Sequence, residues 1–263
     1  MIRMKKILLV EGNLREENQS FTDGGIKTHT ESLKDSISFF TNKLELDVVN
    51  PSSDKNLTEV TEDLTKYDGM IWGGSSLNIY NDTVEIRRQI DFMKECQKKI
   101  KNILAICWGL QVAATVAGGV VKRCNKGAHR GIAHNIKINK NGISHPLYKN
   151  KNETFNTPAF NFDEVATLPN NSILLSSNEI NNVMGVNFKN GISNIWGIQY
   201  HPEITYDKMI SLIHFRKDKL LNNKAFTDEE EINSHVKMIA EENKITNKNA
   251  RMKELENWLN IIV

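Results

Sequence analysis

The chain has 263 residues, 39% of them hydrophobic and 25% charged, with 34 Lys and Arg against 32 Asp and Glu. This is a globular composition, which excludes a fibrous or wholly disordered chain, and a formal net charge of +2 gives no argument for nucleic acid or a charged membrane surface as partner. No apolar run approaches the ~20 residues of a membrane span, and three cysteines (Cys96, Cys107, Cys124) without Cys-x-x-Cys spacing point to a reducing cytoplasm instead of a disulfide framework or zinc site.

The N-terminal stretch 1–10 has basic residues, four apolar ones and then Glu11. It reads as a first strand over 6–10 and not as a secretory leader. Residues 25–40 carry Ile26, Leu33, Ile37 and Phe40 at helical spacing, and 44–49 is a second strand stopped by Asn50-Pro51. Residues 68–74 form a third strand ending at the pair Gly73-Gly74, and Asp82 is expected to cap a helix through Cys96. A fourth strand, 101–106, runs into a small-residue helix over 108–117 ended by Gly118-Gly119. Strand–helix alternation of this kind predicts a parallel sheet covered on both faces.

From 120 to 200 the pattern changes to short strands (132–138, 172–176, 183–187, 195–199) separated by Asn, Gly and Pro turns, an antiparallel extension of the same sheet. Beyond Pro202 three helices are expected, over 207–221, 227–243 and 249–263, with a capping box at Thr227–Glu230. The expected organisation is one α/β domain over 1–205 with a helical extension over 206–263 packed on it. The stripe Met252, Leu255, Leu259 and Ile262 is expected to complete the core, or else to receive a partner or a second copy of the chain.

Cys107 stands where strand becomes helix, in Cys107-Trp108-Gly109-Leu110-Gln111. A nucleophile there projects from the carboxyl edge of the sheet, at a helix N-terminus whose partial positive charge suits a thiolate. Gly109 removes a Cβ that would crowd the turn. Most free cysteines are small buried hydrophobes, so the reading depends on a base. Of seven histidines, His201 ends an apolar strand and has Glu203 two positions on, the same side of an extended segment, with Pro202 stiffening the geometry. Oxyanion donors are expected from the Trp108 amide and from Gly73-Gly74-Ser75-Ser76 at the same edge. Neither phosphate-binding glycine motif is present, so no nucleotide site is expected.

The three stretches Trp72-Gly73-Gly74-Ser75, Ile106-Cys107-Trp108-Gly109-Leu110-Gln111 and Gly197-Ile198-Gln199-Tyr200-His201-Pro202-Glu203, in this order over about residues 68–205, resemble the class I (triad-type) glutamine amidotransferases. The branch they are most similar to is that of stand-alone, GMP-synthase-like amidotransferases. The resemblance implies an open, mostly parallel, flavodoxin-like sheet flanked by helices. It implies Cys107 as nucleophile, His201 as base and Glu203 as its orienter, with Gly74 and Trp108 as oxyanion donors. Gly73, Ser76, Gln111, Asn161 and Phe162 would border the substrate, and no metal or cofactor is implied. Two departures stand out: Asn161 replaces a histidine that many members carry in a Ser-His-x-Asp-x-Val stretch outside the triad, and 127–131 lacks the expected Arg-Glu-rich loop. His129, His134 and His145 lack metal-ligand spacing and are expected on loops and surface.

The implied reaction is hydrolysis of the glutamine side-chain amide, or of another γ-glutamyl amide, through a cysteine thioester, with ammonia passed to a synthetase or aminating partner. A free-standing γ-glutamyl amide hydrolase is the alternative. An intact Cys107, His201 and Glu203 set argues against a non-catalytic regulatory protein on the same scaffold.

Overall fold

The computed structural model describes residues 3–53, 57 and 62–262. Its strands are β1 (Lys5–Val10), β2 (Leu44–Val49), β3 (Gly69–Trp72), β4 (Asn102–Ile106), β5 (Val120–Arg123), β6 (His129–Arg130), β7 (Ala133–Ile138), β8 (Thr154–Thr157), β9 (Phe160–Asn161), β10 (Asp163–Thr167), β11 (Ile173–Ser177), β12 (Gly185–Asn190) and β13 (Ser193–Ile198). The helices that matter here are α1 (Arg15–Asp23), α2 (His29–Phe40), α3 (Val84–Lys99), α4 (Trp108–Val116), α5 (Tyr206–Phe215), α6 (Lys217–Asn222), α7 (Glu229–Ile245), α8 (Lys248–Arg251) and α9 (Lys253–Leu259).

Among the described residues nine strands form one sheet in the order β2-β1-β3-β4-β13-β12-β11-β7-β8. The run from β2 through β1, β3 and β4 to β13 is parallel, and β13, β12, β11, β7 and β8 pair antiparallel. The expected parallel half and antiparallel extension are therefore both present. Alternation along the strands divides the core. Leu8, Val10, Met70, Trp72, Ile103 and Ala105 face a layer containing α3 and α4. Ile7, Leu9, Ile71, Leu104 and Ile106 face one containing α2 and α9. No helix of the described residues is long and apolar enough to cross a membrane.

Local chemistry moves several boundaries. The first long helix starts at His29, not Gly25, because Thr28 and Glu31 form a reciprocal capping box. The next is capped by Thr83, whose hydroxyl accepts from the Ile86 N–H, while Asp82 adopts φ +50°. At α7 the cap is Asp228, bonding the Glu231 N–H at 2.8 Å, one residue beyond Thr227. The helix expected over 207–221 breaks at Arg216 and the last one at Met252. Met1 and Ile2, ahead of the expected first strand, and Val263, at the end of the expected last helix, lie outside the described residues.

The stripe of the last helix is core: Met252, Leu255, Trp258, Leu259 and Ile262 are all buried, four of them against the sheet face beside α2. Gly69 in β3 lets this happen, since a Cβ there would lie 2.8 Å from the Trp258 ring. Trp258→Ala is expected to cost about 3–5 kcal/mol in chemical denaturation, because a large buried side chain leaves a cavity the sheet cannot fill. A cost under about 1 kcal/mol would mean that α9 packs loosely.

Candidate active site

Strands β3, β4 and β13 are neighbours, and their carboxyl ends carry Gly73-Gly74, Cys107 and, three residues past β13, His201. Cys107 has φ +53° and ψ −103°, outside the ordinary wells of an L-residue, and caps α4. Such a conformation costs on the order of 1–3 kcal/mol and persists only where its surroundings impose it. Here the Cys107 N–H donates to Ile198 O at 2.7 Å, the Gln111 N–H to Cys107 O at 3.1 Å, and the Gly109 N–H to Gly73 O at 3.2 Å. Helix α4 sits so close to β3 that a Cβ on Gly109 would lie 2.4 Å from Trp72 O. The glycine is required by contact, as its spacing from the cysteine predicts.

His201 and Glu203 are buried, with His201 Nδ1 2.8 Å from Glu203 Oε1. The Cys107 sulfur also acts on the imidazole, favouring its protonated form. Burial pushes the His201 imidazolium down, but the charges of Glu203 and Cys107 outweigh it and hold the pKa up to about 10. At neutral pH the ring is thus a cation between sulfur and carboxylate. Its folded-state pKa lies above the ordinary 6.5, so its contribution to stability is complete below about 6.5 and is lost as pH rises through about 10. Glu203→Gln removes the main upward influence, so the His201 titration is expected to move from about 10 toward 6.5. Imidazole NMR of the variant would show this, and an unmoved titration would contradict the assigned pairing.

Gly74 lies against the same ring: a Cβ there would be 2.7 Å from His201 Cε1 and 2.8 Å from His29 Cε1. His29, the first residue of α2, stacks on His201 with centroids 5.4 Å apart and planes at 25°. Burial, together with the positive charge of Lys208, His201 and Arg216, holds its pKa well below the ordinary value. His29, His201 and Glu203 are the one metal-type cluster among the described residues. Within it His201 Nδ1 and Glu203 Oε1 are hydrogen-bonded to each other at 2.8 Å.

A cleft of about 330 Å³ opens over Cys107. Ser76, Gln111, Asn161 and Phe162 line it. Gly73 does not; its amide donates to Val10 O and its carbonyl accepts from Gly109, so it joins β3 to its neighbours instead. The Trp108 side chain is directed away from the cleft, donating from Nε1 to Gln89 at 2.7 Å, and only its position at the first turn of α4 bears on the site. Asn161 gives both donor bonds to Asp163 O and Asn181 Oδ1, and its Oδ1 lies 2.9 Å from His129 Nδ1. His129 is therefore buried, not a surface residue, and burial lowers its pKa to about 4. His145 is half-buried against Trp196, and His134 is exposed.

Two contributors have no sequence motif of their own to announce them. Gln199 donates from Nε2 to the Cys107 sulfur at 3.4 Å and accepts from Gln111 Nε2 at 3.4 Å. It stands within the third motif, but residue type alone gives it no role. The second is the far wall of the cleft, built by Arg216, Lys219, Leu220 and Asn223 at and within α6. Arg216 is held by Glu17 at 2.6 Å and by Ser76. Arg123 and Lys219 add two further cations to the mouth, while Asp163, the acidic lining residue, accepts from Asn78 and Tyr80.

Residues 28–217 match the profile of the family described as Glutamine amidotransferase class-I. The chain belongs to this family. Among the relatives of this amidotransferase-family chain is a γ-glutamyl-L-1-hydroxyisopropylamide hydrolase of a Pseudomonas species. It is 27% identical over 203 residues, spanning 76% of this chain and 68% of the relative. One component of the glutamine-hydrolyzing GMP synthase of Methanosphaera stadtmanae is 33% identical over 121 residues, or 44% of this chain and 61% of the relative. A crystal structure of a glutamine amidotransferase from Thermotoga maritima superposes with a TM-score of 0.67 at 16% identity, covering 99% of this chain and 98% of the other, and so shares the amidotransferase fold.

Proposed function

We propose that this chain hydrolyses γ-glutamyl amide bonds through a thioester on Cys107. The observation that carries this is the sulfur at a helix N-terminus and at the floor of a cleft, acting on a His201 whose other ring nitrogen Glu203 holds at 2.8 Å. The Cys107 thiolate attacks the amide carbon, and the oxyanion is met by the amides of Gly74 and Trp108. As the C–N bond breaks, His201 gives its proton to the leaving nitrogen, and the amine departs. Neutral His201 then takes a proton from water; the hydroxide adds to the thioester, and the thiolate leaves a free γ-carboxylate. Gln199 stabilises the sulfur at both stages. Three free, buried thiols suit a reducing compartment, and we place the reaction in the cytoplasm.

The wall from α6 lines the same cleft as Cys107, and on this reading it receives a leaving amine larger than ammonia. A second reading, ammonia delivered to a separate synthetase, is favoured by the similarity to the GMP synthase component. The test is to assay the purified chain alone on glutamine and a panel of γ-glutamyl amides, recording ammonia and glutamate. Turnover of amides at least about tenfold above glutamine supports the first reading. Weak glutamine turnover that rises only with an added aminating enzyme supports the second. No glutamate from any compound, with Cys107 unlabelled by a glutamine-mimicking electrophile, would overturn both.

A further inference from the structure

The carboxylate of Glu203 has few partners of its own. Oε1 meets His201, while Oε2 is buried with no hydrogen-bond partner among the described residues. Its placement therefore rests on the backbone of the segment 201–204. That backbone is gripped from outside at three successive carbonyls, those of Pro202, Glu203 and Ile204. Ser36 of α2 donates to Glu203 O at 3.2 Å. Arg251, the last residue of α8, donates from one guanidinium nitrogen to Pro202 O and to Ile204 O, the latter at 2.6 Å. Arg251 is buried and, among the described residues, forms no ion pair; its bonds go to neutral carbonyls. It lies beyond residue 217, outside the stretch that matches the family profile.

We infer that Arg251 is a positioning residue for the reaction: it fixes the backbone on both sides of Glu203 and through it the orientation of His201 toward Cys107. This rests on the reading of Cys107, His201 and Glu203 as the catalytic unit. A buried guanidinium donating to two carbonyls two residues apart in the chain is a rigid clamp, since its planar fork loses little freedom on binding. Displacing a catalytic group by about 1 Å costs on the order of 10²-fold in rate. The C-terminal segment thus serves the site as well as the core.

The test compares full-length wild type with Arg251→Lys, Arg251→Met and Leu255→Ala, the last removing core packing at α9 while leaving Arg251 in place. Three readouts are taken: kcat and KM on γ-glutamyl-p-nitroanilide, the rate of Cys107 alkylation by iodoacetamide, and the thermal midpoint. Arg251→Met is expected to lower kcat by about 10- to 100-fold with KM within about twofold, and to slow alkylation. Arg251→Lys should recover part of both, because an ammonium can reach one of the two carbonyls. Leu255→Ala should lose stability while keeping kcat. If Arg251→Met does not fold, Arg251→Lys decides by the same measure, with a loss of about fivefold or more expected. A folded Arg251 variant with wild-type kcat and alkylation rate overturns the inference, as does Leu255→Ala losing as much kcat at equal stability. Should the wild type hydrolyse no γ-glutamyl compound, the function reading fails, and alkylation alone still reports whether Arg251 governs the pairing of Cys107 with His201.

Discussion

Cys107→Ala is expected to abolish γ-glutamyl amide hydrolysis, a loss on the order of 10⁴-fold or more, while leaving the fold intact. The position is nearly fully buried at a tight elbow and requires a small side chain for its packing; the sulfur is required only by the chemistry. Cys96 and Cys124 are also buried thiols, but Cys96 belongs to the core under α3, and the Cys124 sulfur is spent on Ile180 O. Their replacement by Ser should leave the rate nearly unchanged, and an electrophile that mimics glutamine should label Cys107 alone. Retention of most activity in Cys107→Ala would remove the basis of the proposed reaction.

His201→Asn should be nearly as damaging. Asparagine cannot serve in turn as acid toward the leaving amine and base toward water, and the cation that faces the sulfur is lost with it. In the proposed reaction the two residues act as one unit, so the double variant should be about as slow as either single one. Measured losses that instead add on a logarithmic scale would show that sulfur and imidazole work independently. Asn keeps a polar group near Glu203 Oε1, which limits the cost of leaving that carboxylate without its partner.

The parts of the site legible in the sequence are those that end a parallel strand. Gly73-Gly74, Cys107 and His201 each follow an apolar run, and adjacent parallel strands bring their carboxyl ends together without any further information. What stayed hidden depends on packing between distant segments. His29 reaches His201 only because α2 lies on that sheet face. Arg251 reads as one more basic residue near a helix end until the 201–204 backbone is seen beside it. Helix α1 buries only Phe21 and has no stripe to announce it, and β6 and β9 are two-residue pairings set by the loop around His129 and Asn161. Asn161 itself shows how a change of residue type misleads: its amide is consumed within the protein, so it shapes the cleft wall more than it offers free donors to a substrate.

The backbone at Cys107 has a consequence for how such a protein responds to selection. Its φ of +53° and ψ of −103° suit glycine better than any residue with a Cβ. Relieving that strain is therefore a ready way to gain stability at this position, and it eliminates the proposed nucleophile in the same step. A library screened for heat resistance alone would enrich inactive molecules at residue 107, and thermal tolerance would be a poor proxy for function there. Only a screen that requires turnover would keep the cysteine in place against that pull.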